Sequence, residues 1–281
     1  EDVERFSLGR VREERVPGLK AVAKYSKLII LGKPGAGKTT FLKHLALLCI
    51  RGKFQEERIP LFITLKDFAE APNQPNLLIY LSQILVKYIS INIEADIDPI
   101  EQLLKQGKLL VLLDGLDEVQ EASGKRVLKQ IERFTSDWSE NQFVITCRIA
   151  AKEYIFEQFT EVEVADFNDE QIKSFSNKWF TAKNDIVKAA KFFKKLQDDK
   201  PIRELASLPL LLTLLCLVFE ESAELPKNRS ELYKEGLDVL LKKWDGKRNI
   251  EREQVYKKLS LKRKEDLLSQ VAYSTFEQGQ Y

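Results

Sequence analysis

The chain has 281 residues, 44% of them hydrophobic and 31% charged, which is enough apolar material for two or three domains with separate cores. A formal net charge of +2 gives no overall basic field for nucleic acid, and the single histidine, His44, excludes a multi-histidine metal site or a Ser-His-Asp triad elsewhere in the chain. Three cysteines (Cys49, Cys147 and Cys216) lie far apart inside apolar runs and read as buried thiols of a reducing compartment, the cytoplasm.

The chain begins at Glu1 and contains no methionine, so it reads as a segment taken from a longer protein. Its first 20 residues are charged and carry no signal-peptide pattern. From there to about residue 165, short apolar runs alternate with amphipathic ones. Strand candidates fall at 28–31, 61–65, 109–113, 143–147 and 162–164, and helical patterns at 38–50, 77–90, 97–105 and 127–138. Alternation of this kind predicts an α/β fold, a parallel sheet covered by helices on both faces. The runs "LLVLL" and "FVIT" are apolar on both sides, as buried parallel strands are.

After residue 165 the strand signal stops. Asn168 is an N-cap candidate before an acidic first turn. The run "LASLPLLLTLLCLVF" (205–219) falls short of the roughly 20 residues of a membrane span and contains Pro209, so it predicts buried helix and no membrane partner. Pro226 and Asn228 break the pattern, and Ser230 opens a helix through Trp244. The tail reads as two further helices. The stretch 242–264 is locally basic; a solvated helical face is the simpler reading, and a surface for nucleic acid or an acidic partner is the alternative.

Three short stretches carry chemistry. "GKPGAGKT" (32–39) follows a strand and opens a helix. Its glycines permit backbone angles that turn consecutive N–H groups inward into an anion nest, and the helix dipole points to the same place. Gly32, Lys33, Pro34, Gly35, Ala36, Gly37, Lys38, Thr39 and Thr40 are therefore expected to wrap a polyphosphate. Lys38 would reach the β- and γ-phosphates, and the Thr39 hydroxyl would ligate Mg²⁺. In "LLVLLDGLDEV" (109–119), Asp114 ends an apolar strand at the edge where the phosphates would sit and would hold Mg²⁺. Asp117 and Glu118 follow within one turn, and one of them would position or deprotonate the attacking water. In "FVITCRIA" (143–150), Arg148 stands at a strand tip. If that strand lies between the phosphate-loop strand and the Asp114 strand, Arg148 points at the γ-phosphate.

Together these stretches, with "LPLLLTLLCLVF" and "SELYKEGLDVLLKKW", resemble the NACHT family of signal-transducing (STAND) P-loop NTPases, the group of the animal inflammasome receptors, in its bacterial and particularly cyanobacterial form. The resemblance covers about residues 20 to 250. It implies a parallel sheet of order 5-1-4-3-2 in a nucleotide-binding domain (1–165), then an all-α helical domain (166–225) and a winged-helix domain (226–281), here incomplete. It also implies that Asp114 is the Mg²⁺ aspartate, Asp117 and Glu118 the hydrolytic pair, Arg148 a nucleotide sensor, and Pro209 a residue packed near the base. From the residues alone Pro209 is an ordinary first-turn proline. Many members use a winged-helix histidine on the ADP β-phosphate; no histidine follows His44, so that lock is missing or made otherwise.

The function so implied is an ATP/ADP switch with slow hydrolysis, a homo-oligomer when ATP is bound, serving bacterial defence or stress signalling. Fused effector and sensor regions are absent from this chain. A work-producing or nucleic acid-stimulated ATPase would use the same loop, and a scaffold without hydrolysis would leave Asp117 and Glu118 idle. ATP is preferred to GTP because the one near-match to a guanine-reading motif, "NKWF" at 177–180, is broken by Phe180.

Overall fold

A computed structural model of the chain describes residues 14–89, 99–149, 156–247 and 260–278. The chain divides into two compact units, Glu1–Ala165 and Asp166–Tyr281.

The first unit is built on five parallel strands: β1 (Lys27–Gly32), β2 (Ile59–Thr64), β3 (Leu109–Asp114), β4 (Gln142–Arg148) and β5 (Thr160–Glu163). Their order across the sheet is β2-β3-β4-β1-β5, the expected 5-1-4-3-2 counted from the other edge. All six residues of β3 are buried. Leu109, Val111 and Leu113 join Phe143, Ile145 and Ile29 in one core, and Leu110 and Leu112 join Val144, Leu28 and Ile30 in another. A strand side chain alternates between faces, so a run apolar at every position needs a covering layer on each.

The helices supply those layers. On one face, α1 (Gly18–Lys24) and α2 (Lys38–Ile50) bring Ala21, Val22, Leu42, Leu45 and Cys49. On the other, α3 (Leu65–Ala69), α4 (Leu77–Ile89), α5 (Pro99–Lys105) and α6 (Glu121–Asp137) bring Phe68, Leu77, Leu81, Leu104, Ile131 and Phe134.

Three elements differ from the sequence expectation. Leu65 starts α3 instead of ending β2, because it packs on the same side as Phe68 three residues on. The α6 helix starts at Glu121, six residues before the apolar period begins; Gly124 lies buried within its first turns. The α1 helix was not expected from its charged surroundings. Gln142 of β4 anchors it, its Nε2 donating to the carbonyls of Val22 and Tyr25. Residues 90, 97 and 98, expected in helices, lie outside the described residues, as does Ala150 of the third stretch.

The second unit is helical: α7 (Asp169–Thr181), α8 (Ile186–Asp198), α9 (Lys200–Ala206), α10 (Pro209–Ser222), α11 (Arg229–Lys247) and α12 (Leu261–Glu277). Asn168 caps α7 in a full capping box with Gln171. The long apolar run is two helices, α9 and α10, meeting at a bend of 118°, with Pro209 in the first turn of the second. Phe180, Phe192 and Phe219 stack around one point in this core, with centroids 5.2 to 6.1 Å apart. Among the described residues no single helix is long and apolar enough to cross a membrane. Where a winged helix was expected, the described residues form the helices α11 and α12; residues 248–259 lie outside the described residues.

Cys49, Cys147 and Cys216 are all buried and unpaired with one another, and burial pushes each thiol upward, Cys147 to about 11. A raised pKa keeps the unreactive thiol form at neutral and mildly alkaline pH. An aromatic disulfide reagent is therefore expected to titrate none of the three in the native chain and all three in denaturant. Rapid native labelling of two or more would contradict this packing.

Candidate nucleotide-binding site

The site is assembled at the carboxyl edge of the sheet. In parallel pairing the strand ends fall side by side: Gly32 opposite Arg148, Leu113 opposite Ile145, and Thr64 opposite Asp114. The loop after β1, the acids after β3 and the arginine ending β4 therefore share one rim.

The loop after Gly32 takes the shape that its glycines allow. Gly35 has φ +76° and Gly37 φ +91°, left-handed values that other residues rarely adopt. Gly37 is the residue before α2, and a Cβ there would stand in open space. Gly32 instead marks a close approach, with Val164 Cβ 3.3 Å from where its own Cβ would be. Within the loop the Ala36 N–H donates to the Lys33 carbonyl at 3.2 Å. Among the described hydrogen bonds, none is donated by the backbone N–H of Gly35, Gly37, Lys38, Thr39 or Thr40. These are helix-entry donors with no partner in the helix, grouped at its positive end.

Lys38 Nζ folds back over this loop, donating to the Gly32 carbonyl at 2.8 Å and the Lys33 carbonyl at 3.3 Å. Desolvation lowers its pKa, Asp117 opposes that shift, Arg148 adds to it, and Cys147 and Asp114 oppose it. The ammonium thus feels both acids and the arginine, which places the three stretches at one site.

The acids are held from β4. Asp114 is buried, and its Oδ1 accepts from the Thr146 hydroxyl at 2.6 Å. The same hydroxyl accepts from the Gly115 N–H at 2.8 Å. Gly115 then turns the chain through φ +77° into a short 3₁₀ turn, Leu116–Glu118. On that turn Asp117 is drawn to Arg148, its Oδ1 accepting from the backbone N–H at 2.9 Å and its Oδ2 pairing with Nε at 2.8 Å. Glu118 is exposed.

The residues present fit a magnesium nucleotide. Among the described residues no group of three or more His, Cys, Asp or Glu could hold a metal alone. A site offering one hydroxyl (Thr39) and one carboxylate oxygen (Asp114) suits a hard cation that takes its remaining ligands from phosphate and water, as Mg²⁺ does.

The structure thus brings together Lys38, Asp114, Asp117 and Arg148 with the loop residues 32–40. Pro209 belongs to the second unit, where it opens α10. Thr146 was not singled out from the sequence. The only signal was one hydroxyl inside an apolar strand, two residues before the arginine.

A family model for the NACHT domain matches residues 26–183. An uncharacterised WD repeat-containing protein of Nostoc sp. is 37% identical over 97 residues, covering 32% of this chain and 6% of that protein. Among solved structures, a Signal Transduction ATPase with Numerous Domains carrying a tetratricopeptide repeat sensor, from Pyrococcus horikoshii, is 17% identical. It covers 81% of this chain and 33% of that one, with a TM-score of 0.45. Caenorhabditis elegans PCH-2 is 15% identical, covers 80% of this chain and 64% of that one, and has a TM-score of 0.42. The chain spans less than two thirds of the length of each of these relatives.

Removing the Thr146 hydroxyl would strand two buried groups, the Gly115 N–H and Asp114 Oδ1. Thr146→Val should destabilise the first unit by about 1–3 kcal/mol, and Thr146→Ser, which keeps the hydroxyl, by less. Thermal or denaturant unfolding of the three chains checks this; equal stability of Val and Ser variants would mean the hydroxyl holds nothing.

Proposed function

Because the chain belongs to the NACHT family, which places it among the P-loop NTPases, we propose that it is a nucleotide switch that binds ATP and ADP and hydrolyses ATP slowly. The observation that carries this reading is the convergence of Lys38 and five loop amides, unpartnered among the described residues, with Asp114, Asp117 and Arg148 on one rim of the sheet.

Residues 32–40 wrap the polyphosphate. Lys38 exchanges the Gly32 and Lys33 carbonyls for phosphate oxygens, so it reaches the ligand by small rotations of its own side chain. Thr39 and Asp114 would hold Mg²⁺, which would supply positive charge against the phosphates. Thr146 fixes one oxygen of Asp114 and leaves the other for the metal's water shell. From the pair Asp117 and Glu118 comes the group that orients or deprotonates water, and Arg148 answers to the γ-phosphate. ATP is preferred to GTP.

A switch requires different affinities in two states, not fast turnover. In this reading residues 1–165 bind nucleotide, 166–225 form the helical domain, and 226–281 begin a winged helix. ADP holds the closed form, ATP favours an open form that assembles with copies of itself, and the assembly activates an attached effector in bacterial defence or stress signalling in the cytoplasm.

Calorimetric titration with Mg-ATP and Mg-ADP tests the first step. Lys38→Ala should abolish binding of both; a variant that keeps micromolar affinity would remove the loop from its role. Light scattering then tests the second step. The chain should be monomeric with ADP and larger with a non-hydrolysable ATP analogue, and one size under both conditions would remove the assembly step.

A further inference from the structure

The two acids after β3 are adjacent in sequence, and the structure separates them. On a 3₁₀ turn neighbouring residues point about 120° apart, so Asp117 and Glu118 cannot face the same way. Asp117 turns to β4. Both of its oxygens are occupied by one residue, Arg148, through the backbone N–H and Nε. The Asp117 side chain is 6% exposed and that of Arg148 is 52% exposed, so the buried partner fixes the exposed one. Arg148 is gripped at its root and at Nε, and its two terminal nitrogens have no partner among the described residues.

Glu118 is placed differently. It is exposed, and its side chain makes no hydrogen bond or ion pair among the described residues. Its carboxyl carbon lies 3.0 Å, and one oxygen 3.1 Å, from the point where a Cβ of Gly115 would stand. A side chain at position 115 would therefore displace it. Glycine there lets an open carboxylate lie against the backbone one residue past Asp114.

We infer that the two acids have separate tasks: Asp117 is a positioning residue that sets the Arg148 guanidinium toward a γ-phosphate, and Glu118 is the carboxylate that takes the proton from the attacking water. The assignment rests on the NTPase reading above. In the step, the water oxygen bonds to the γ-phosphorus while its proton passes to a Glu118 oxygen. The bond from that phosphorus to the β–γ bridging oxygen breaks, and its electron pair leaves with ADP. Arg148 keeps its hold on Asp117 throughout and uses only its terminal nitrogens.

The test compares wild type with Asp117→Ala, Asp117→Asn, Glu118→Gln, Arg148→Ala and the double variant Asp117→Ala/Arg148→Ala. Equilibrium affinities for Mg-ATP and Mg-ADP and single-turnover hydrolysis at saturating Mg-ATP are measured on each. Asp117→Ala and Arg148→Ala should each change the ATP-to-ADP affinity ratio by about fivefold or more, with the double variant going no further than either. Glu118→Gln should slow single-turnover hydrolysis by about 10²-fold or more and leave that ratio as in wild type. Should the alanine variant at 117 unfold, Asp117→Asn, which keeps the shape and loses the charge, must shift the ratio in the same direction.

A loss of hydrolysis in the 117 variants as large as in Glu118→Gln, with the ratio unmoved, overturns the assignment; so do additive effects in the double variant. A wild-type chain that binds neither nucleotide overturns the NTPase reading and this one with it. A wild-type chain that binds both, with a ratio indifferent to position 117, overturns this one alone.

Discussion

The position of β4 between β1 and β3 is the constraint on which the site depends. A strand in that place is hydrogen-bonded on both edges and packed on both faces, so its end has little freedom. The end carries the two side chains that hold the acids. Thr146 reaches sideways to Asp114 and Gly115, and Arg148 reaches to Asp117. The β1 end, Gly32, lies in register with Arg148 on the other side. The glycine-rich loop, Asp114 and Arg148 are thus referred to one rigid element.

Charge balance decides what such a site can receive. Lys33, Lys38 and Arg148 contribute three positive charges, and Asp114, Asp117 and Glu118 three negative ones, so the rim has no net charge of its own to draw a polyphosphate. Two features supply what is missing. The loop amides present partial positive charge without adding a titratable group, and the carboxylates favour a divalent cation that comes with the phosphates. The internal hydrogen bonds matter for the same reason. Asp114 and Asp117 each accept from β4, so neither depends on a ligand to be satisfied. Lys38 uses loop carbonyls in the same way.

Much of the fold is legible because its signals are local. The strands repeat at period two, and an unbroken apolar run such as 109–113 states that both faces are covered. The capping box at Asn168 and the left-handed glycines at 35 and 37 follow from residue type within a turn of chain. What is not legible is what tertiary contact imposes. The α1 helix has no strong period of its own and is held by Gln142, 117 to 120 residues away. The sharpness of the bend between α9 and α10 also escaped: a first-turn proline at 209 can be read from residue type, but the angle of 118° to the preceding helix cannot.

The site divides along the same line. The loop 32–39, Asp114 and Arg148 are visible as motifs because their roles depend on backbone angles and strand ends. The difference in surroundings between Asp117 and Glu118 is not, because spacing says only that two acids lie within one turn. It emerges from a partner 31 residues further on, where Arg148 claims one acid and leaves the other. Thr146 is hidden for the same reason, its partner being 32 residues back. A sequence can state which groups reach an edge; which of them are already bonded there follows only from the order of the strands. That order here makes an arginine the fixed neighbour of one acid, so a γ-phosphate that engages the arginine acts on a contact the protein has already built.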